Sequence, residues 1–411
     1  MTKITNPGRL KAEDIRIESY SYELPAALIA ELPLQRRSAS SMLVYQNGAI
    51  TDELFENLPG ALTPDCFLVF NDSRVIEARL HFQKPSGAEI EIFCLQPYVP
   101  GEMTSSFSQT AEVQWACFVG GASKWKEGVP LEKKIQVRET EVTLAATRLR
   151  KEGDHYIIEF KWTGGCLFSE VLAAAGEIPL PPYIKRKREA WDAERYQTVF
   201  ADRKGSVAAP TAALHFTPEI IDELSQRGVD HGRLSLHVGA GTFKPVKAET
   251  IDLHEMHSET FTVSAELVQA LLNVKTIVAV GTTSLRSLES LFWIGIKLMN
   301  KAEDLCLGQW EAYELEAGNI TYKDCLRFIL GYMAQKRLKV LECRTSLLIL
   351  PGYQFRSATA LLTNFHQPRS TLLLLVAAFI GEDWKKVYDH AIKQQYRFLS
   401  YGDSSLLWRN P

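Results

Sequence analysis

The sequence predicts an α/β protein: a layered α/β domain with a mostly parallel sheet, plus an inserted small β-barrel domain. Two observations predict this fold. From about residue 165 onward, strand-like and helix-like segments alternate, which is typical of a parallel sheet covered by helices. Residues 76 to about 160 carry six short strand-like runs without a helix, which is typical of a small closed barrel. The predicted α/β catalytic domain is therefore 1–75 with 160–411, and the predicted barrel is 76–159.

The individual elements follow from local patterns. SYELPAALIAELPL has a short helical pattern between two prolines, and CFLVFN is a buried strand. After the barrel, Thr217 and Pro218 cap a helix that Gly228 ends. RLSLHV and TIVAVG are strands, and TTSLRSLESLFW begins a helix with its apolar residues on one face. Residues 298–340 form a mostly helical insertion, and LLLLVAAFI is a buried helix capped by Ser370.

The composition of the chain restricts its possible partners and its cellular location. The chain has 411 residues and a formal net charge of −3, so an anionic partner needs a local basic patch. The seven cysteines are scattered without a CxxC pair, which predicts reduced thiols in the cytoplasm. The first residues lack the apolar core of a signal peptide. The longest apolar run, Leu372 to Ile380, is far shorter than the ~20 residues of a membrane span.

The most distinctive segment is GSVAAPTAALHFTPE, which carries one histidine, His215, among small residues. It predicts either a turn with a core histidine or a pocket lined by backbone. VGTTSLRSLES joins a strand end to a hydroxyl-rich helix start, a natural anion cradle to which Arg286 adds a charge. Ordinary helix capping explains that pattern equally well. TNFHQPRS places Asn364 and His366 directly before the buried apolar helix.

Other motifs are weaker. HVGAGTF, from His237 to Phe243, lacks the full GxGxxG spacing, and HEMH is not the HExxH zinc motif, so the sequence predicts no metal site. FNDSRV places Asp72 and Arg74 at a strand end beside a domain boundary, where ligand sites are common. An internal ion pair is the alternative.

A basic segment interleaved with aromatic residues suits contact with RNA. It is the run Lys185, Arg186, Lys187 and Arg188, with Tyr183, Trp191 and Tyr196 around it. A solvated loop is the alternative.

Together, these stretches resemble one family closely: the S-adenosylmethionine:tRNA ribosyltransferase-isomerases of queuosine biosynthesis. The matching text includes FNDSRVIEARL, GEIPLPPYIKR, GSVAAPTAALHFT, HVGAGTFKPV, VGTTSLRSLES, TNFHQPRSTLLLLVAAFIG and YRFLSYGDSSLL, in the family's order. The resemblance implies transfer of the ribosyl part of S-adenosylmethionine to 7-aminomethyl-7-deazaguanine at the tRNA wobble position. The product is epoxyqueuosine, adenine and methionine leave, and no metal or permanently bound cofactor is needed.

The resemblance also suggests roles for residues. Histidine suits proton transfer near neutral pH, so His215 is the leading acid/base candidate, with His237, Glu259 and His366 in reserve. Asp72 and Arg74 are expected to position the ribose hydroxyls. The remaining candidates for S-adenosylmethionine binding are Thr282, Thr283, Ser284 and Arg286 for the methionine carboxylate, Phe216 and Tyr196 for stacking on adenine, and Thr211 and Gly281.

The sequence departs from the family pattern in a few places. Ala213 stands where the family has Gly, Ala240 and Gln367 stand where it has Leu, and SATALL lacks an aspartate before TNFH. Two alternatives therefore stay open: a paralogue that uses the same chemistry on a non-tRNA amine, and a catalytically silent RNA-binding protein.

Overall fold

A computed structural model of the chain describes residues 12–239 and 250–409. The strands, in chain order, are β1 (Ser41–Gln46), β2 (Ala49–Leu54), β3 (Cys66–Asn71), β4 (Ser73–Val75), β5 (Arg79–Gln83), β6 (Glu89–Val99), β7 (Glu112–Gly120), β8 (Pro130–Val137), β9 (Thr140–Glu152), β10 (His155–Trp162), β11 (Gly176–Glu177), β12 (Arg203–Ser206), β13 (Asp230–Leu236), β14 (Glu259–Ser264), β15 (Thr276–Val280), β16 (Cys306–Leu307), β17 (Val340–Thr345), β18 (Ala360–Asn364) and β19 (Ser404–Trp408). The α-helices are α1 (Leu58–Ala61), α2 (Met103–Phe107), α3 (Phe168–Ala175), α4 (Asp192–Arg195), α5 (Pro218–Gln226), α6 (Ala265–Asn273), α7 (Thr282–Met299), α8 (Glu311–Glu314), α9 (Tyr322–Lys336), α10 (Thr371–Ile380) and α11 (Asp383–Lys393).

A ten-stranded sheet forms the main layer, in the order β16-β17-β14-β13-β3-β15-β18-β19-β1-β2. Its central strands β13, β3, β15 and β18 run parallel, as do β19 with β1, while antiparallel pairs lie toward both edges. Every residue of β3 is buried, as expected for a strand covered on both faces. The predicted α/β class with a mostly parallel sheet is confirmed.

The insert is a curled antiparallel sheet of seven strands, in the order β11-β5-β6-β7-β10-β9-β8. The predicted barrel-like insert is confirmed, but it is a half-barrel, because the edge strands β11 and β8 do not pair with each other. Helix α3 packs its apolar face into the core of this sheet. Lys133 of β8 donates hydrogen bonds to the carbonyls of Ala175 at 2.7 Å and His81 at 3.3 Å. The helix and this lysine occupy the position where strand pairing would otherwise close the barrel.

The helix signals of the sequence are mostly confirmed. The Thr217 side chain caps α5, and the Ser370 hydroxyl accepts a hydrogen bond from the Leu373 amide at 3.2 Å to cap α10. Residues 298–340 contain α8 and α9, with the short strand β16 before them. The predicted helix in SYELPAALIAELPL is wrong. Only a 3-10 turn forms at Ala26–Leu28, because the chain then extends and the Ala30 amide bonds the carbonyl of Phe398.

Among the helices of the described residues, none combines the length and the apolar character that crossing a bilayer requires.

Candidate functional site

The candidate site lies at the carboxyl ends of β13, β15 and β18, where ligands bind in open α/β sheets. The segments that follow these strands contribute Val238, Gly281 and Phe365 to one cavity. The loop between β12 and α5 forms another wall with small side chains. The residues that line this first cavity are Tyr183, Ala208, Ala209, Pro210, Thr211, Ala212, Val238, Gly281, Thr282, Thr283, Thr363, Asn364, Phe365, His366, Gln367, Ser370, Leu372, Leu399 and Ser400.

The N-terminus of α7 forms part of the cavity wall. Gly281 has φ +93°, a left-handed conformation that strains residues with a Cβ, and it turns the chain sharply from β15 into the helix. Thr282 and Thr283 line the cavity, and the first backbone N–H groups of a helix lack partners within it. The Ser284 hydroxyl instead donates to the carbonyl of Val280 at 2.8 Å. Of the three hydroxyl residues of the predicted anion cradle, Thr282 and Thr283 therefore line the cavity, whereas Ser284 bonds the backbone.

A second cavity adjoins the first across Thr282, Thr283 and Leu372, which line both. Its polar wall contains an ion pair between Arg286 of α7 and Glu259 of β14, whose side chains are 12% and 7% exposed. The other carboxylate oxygen of Glu259 accepts a hydrogen bond from the Gly239 amide at 3.0 Å. Burial lowers the pKa of Arg286 to about 10, so the guanidinium stays charged at neutral pH. The two cavities thus form one cleft with a charged pair at one end.

His366 lines the first cavity just after β18. Its Nε2 lies 3.0 Å from the Thr363 hydroxyl, and its backbone amide donates to the Tyr388 hydroxyl at 3.1 Å. Burial lowers the pKa of His366 to about 3. The imidazole is therefore neutral at physiological pH and carries a lone pair that can accept a proton.

His215 lies behind the first cavity, 4% exposed. Its Nδ1 is 2.9 Å from the Ser40 hydroxyl and its Nε2 is 3.4 Å from the amide nitrogen of Asn364. Burial lowers the pKa of His215 to about 4. Asn364 itself lines the cavity, and its side-chain oxygen accepts a hydrogen bond from the Thr211 hydroxyl at 2.9 Å. His215 is thus linked to the first cavity by its contact with Asn364, and it also lines a separate small cavity together with Arg37 and Arg397.

The other predicted polar residues lie outside the cleft. The Ser235 hydroxyl donates to Asp72, and burial raises the pKa of that carboxyl. Arg74 lines a separate surface depression. His237 packs against Gly205, and burial lowers the pKa of its ring. The structure therefore does not bring Asp72 or Arg74 together with the α7 N-terminus.

The two aromatic residues predicted to stack on adenine are fully buried. Phe216 packs edge-on against Phe55 and Phe70, and Tyr196 packs edge-on against Tyr401. Of the aromatic residues singled out in the sequence, Tyr183 does line the first cavity, and its hydroxyl hydrogen-bonds Ser400. Sequence reasoning associated Tyr183 with RNA contact instead, and its position directly after the two prolines of GEIPLPPYIKR was the available signal.

The basic segment divides into structural and exposed residues. Arg186 forms a two-point ion pair with the buried Asp192, at 2.7 and 2.6 Å, and its guanidinium stacks on the Trp191 ring. Arg188 lies 3.8 Å from Glu177. Lys185 and Lys187 are exposed and form no salt bridge with any other residue that the structure describes.

The departures from the family pattern occupy different environments. Gln367 lines the first cavity, whereas Ala213 is buried in the core beside it. In SATALL, the Ser357 side chain and amide bind Glu289, a fully buried carboxylate. Ala240 and the rest of HVGAGTF from 240 to 243 lie outside the described residues. Within the described ranges, no group of three His, Cys, Asp or Glu side chains is placed to hold a metal ion, including around HEMH.

Comparisons with known proteins show the family to which the chain belongs. The family model described as "Queuosine biosynthesis protein" matches residues 17–407. The S-adenosylmethionine:tRNA ribosyltransferase-isomerase of Nitrosospira multiformis is 38% identical over 402 residues, which cover 96% of this chain and 99% of that protein. The protein of the same name from Xanthomonas euvesicatoria pv. vesicatoria is 39% identical over 398 residues, covering 95% and 96%. A crystal structure of the S-adenosylmethionine tRNA ribosyltransferase from Thermotoga maritima covers 94% of this chain and 99% of its own, with 28% identity and a TM-score of 0.45.

Proposed function

Because this chain belongs to the queuosine biosynthesis protein family, we propose that it is an S-adenosylmethionine:tRNA ribosyltransferase-isomerase. It transfers the ribosyl group of S-adenosylmethionine to 7-aminomethyl-7-deazaguanine at the wobble position of tRNA and isomerises it, giving epoxyqueuosine. Adenine and methionine leave. The observation that carries the assignment to this region is the two-part cleft at the start of α7, which offers both a charged pair and a neutral histidine.

The amino-acid end of S-adenosylmethionine fits the second cavity. An α-amino acid carries a carboxylate and an ammonium group a few bonds apart, and the Arg286–Glu259 pair presents the two complementary charges at the cavity wall. A guanidinium binds a carboxylate strongly because the hydrogen bonds are charge-assisted. The free N–H groups at the start of α7 add to the attraction for that carboxylate. Arg286 therefore binds the methionine carboxylate and Glu259 binds its ammonium.

The first cavity then receives the ribose and adenine. The sulfonium of the substrate acidifies the 5′ carbon of the ribose, so a base is needed beside it. His366 is the candidate, since it lines this cavity with a neutral ring. A base with so low a pKa is weak, and its efficiency depends on close positioning against an acidified carbon. Tyr183 is the candidate for contact with a base ring, since its own ring lies in the cavity wall.

The tRNA contacts the surface next to this cavity. Lys185 and Lys187 follow Tyr183 by two and four positions and are exposed, so they reach phosphates while the acceptor base enters the cleft. Phosphate contacts of this kind position a nucleic acid without reading its sequence. The reaction takes place in the cytoplasm, which suits a chain whose seven cysteines are all free.

The decisive experiment combines purified protein, S-adenosylmethionine and tRNA that bears 7-aminomethyl-7-deazaguanine. Adenine release and the mass of the modified nucleoside are measured together. We expect adenine in equal amounts to a nucleoside with the mass of epoxyqueuosine. Binding of S-adenosylmethionine without change to that tRNA would instead favour the alternative in which the chain uses another amine acceptor. The matched control is tRNA with unmodified guanine at the wobble position, which lacks the attacking amine.

A further inference from the structure

We propose that His215 is a positioning residue: as a neutral hydrogen-bond acceptor it orients the Asn364 amide, which in turn holds the Thr211 hydroxyl with its lone pairs facing the first cavity. The identity of the ligand in that cavity rests on the proposed function. The arrangement of the His215, Asn364 and Thr211 side chains does not depend on the proposed function.

Four side chains form a continuous line from the core to the cavity. The Ser40 hydroxyl is 2.9 Å from Nδ1 of His215, and Nε2 of His215 is 3.4 Å from Nδ2 of Asn364. Oδ1 of Asn364 is 2.9 Å from the Thr211 hydroxyl. Ser40, His215 and Asn364 are at most 4% exposed, and only Asn364 and Thr211 reach the cavity.

The positions of the protons follow from these contacts. An amide NH₂ group can only donate, so the Asn364 nitrogen donates to Nε2 of His215, and this ring nitrogen carries no proton. The proton of the neutral ring then sits on Nδ1 and is donated to the Ser40 hydroxyl oxygen. The amide oxygen of Asn364 can only accept, so Thr211 donates to it. The Thr211 hydroxyl proton is therefore directed away from the cavity.

A positively charged ring is disfavoured at this position. Burial lowers the pKa of His215, and the Arg397 and Arg37 guanidinium groups lower it further; a backbone hydrogen bond to Arg37, which favours the charged ring, does not offset them. Both arginines line a small cavity that His215 also lines. An imidazolium would also turn Nε2 into a donor that faces the Asn364 NH₂ group. The neutral acceptor form is the one that satisfies both side-chain partners of the ring, Ser40 and Asn364.

This line of hydrogen bonds sets what the cavity binds. Thr211 with its proton engaged offers only lone pairs, so it accepts a hydrogen bond from an O–H or N–H group of the ligand. A ribose hydroxyl or the adenine amino group can donate this hydrogen bond. A carbonyl or carboxylate oxygen at that point cannot, because two acceptors would then face each other without a proton between them. His215 thereby contributes to ligand selection without touching the ligand.

A pair of substitutions separates this role from acid/base catalysis. In His215→Gln, the side-chain amide reaches the position of Nε2 and retains an acceptor for Asn364. In His215→Asn, the shorter amide reaches only the position of Nδ1. It can still hydrogen-bond Ser40, but it leaves the Asn364 amide without an acceptor. We expect kcat/KM of the Gln variant to stay within about threefold of wild type. We expect the Asn variant to lose roughly tenfold, mostly as a higher KM for S-adenosylmethionine, the loss of about one hydrogen bond.

The opposite pattern overturns the proposal. A general acid or base contributes about 10²–10⁴-fold, so equal losses above about 100-fold in kcat for both variants would make His215 a reacting group. Thr211→Val should reproduce the KM increase of His215→Asn, and combining the two should add little, because both break one line of contacts. Thr211→Ser is the matched control, since it retains the hydroxyl. The pH profile of the Gln variant should match that of wild type.

A measurement on the unaltered protein covers the case in which the variants do not fold. Neutron diffraction from crystals of the wild-type chain shows the deuteron on the imidazole directly. We expect it on Nδ1 of His215 at pH 7. A deuteron on Nε2, or on both nitrogens, overturns the proposal. If the wild-type protein proves inactive with S-adenosylmethionine and tRNA, the proposed function fails, and the position of this deuteron still decides the inference.

Discussion

Removing the Arg286 charge by Arg286→Met leaves Glu259 as a buried carboxylate without its ionic partner. Both side chains are at most 12% exposed, and breaking a buried pair from one side costs about 3–5 kcal/mol of stability. The ligand loses a charge-assisted contact worth about 1.5–3 kcal/mol, which corresponds to a Kd for S-adenosylmethionine roughly 10- to 150-fold weaker. The double variant Arg286→Met/Glu259→Gln should recover most of the stability, because no charge remains unpaired, but not the affinity.

Urea denaturation gives the free energy of unfolding, and isothermal titration calorimetry gives the affinity for S-adenosylmethionine. The matched control is Arg227→Met, which removes an exposed arginine paired with Glu223 at 3.0 Å and should cost at most about 1 kcal/mol. The reasoning is refuted if Arg286→Met is as stable as this control. It is also refuted if Arg286→Met binds S-adenosylmethionine as tightly as wild type.

Three further predictions concern backbone, pH and RNA. Gly205→Ala should destabilise the fold, measured as a lower Tm, because φ is +144° and a Cβ would lie 2.8 Å from the His237 ring; an unchanged Tm contradicts this. The unfolded chain protonates His215 near pH 6.5 and the folded chain only near pH 4, so stability should fall as the pH drops through this window, by up to about 3 kcal/mol. In urea denaturation at a series of pH values, His215→Gln should reduce the dependence of the free energy of unfolding on pH. An unaltered dependence would count against this role of His215. Lys187→Ala should weaken tRNA binding and reduce the slope of log affinity against log salt concentration by about one unit, whereas Arg186→Ala should chiefly lower Tm. If filter binding shows the same affinity and the same slope for Lys187→Ala as for wild type, Lys187 does not contact the RNA.

Patterns local in sequence predicted much of the main domain. The apolar runs gave β3, β15 and α10, and the Thr217 and Ser370 caps gave two helix starts, because each depends on neighbours a few residues away. The half-barrel edge was not predictable in the same way. Whether β8 pairs with β11 depends on α3, which follows the last long strand of the insert and packs back across it.

The sequence indicated which segments form the site, but not which side chains in those segments face the cavity. Thr282, Thr283 and His366 line the first cavity, and their roles in it stay predictions. Phe216 is a core residue because Phe55, from a distant segment, packs on its ring. The sequence beside a motif does not distinguish an aromatic residue of the core from one that lines a pocket. The burial of His215 depends equally on distant chain, since Ser40 lies 175 positions earlier.

The pairing of β1 with β19 has a consequence for how the protein is made. Met42 lies beside Ser404 in a parallel pair, and β19 also pairs with β18, the strand that presents Asn364. During synthesis on the ribosome, the early strand β1 must wait for almost the whole chain before it gains this neighbour. The half-barrel strands β5 to β10 pair with one another, and β5 also pairs with β11, so all these pairs lie within residues 79–177. Contacts closer in sequence form faster. We therefore expect the insert to fold while the main sheet is still incomplete, and the candidate cleft to assemble last.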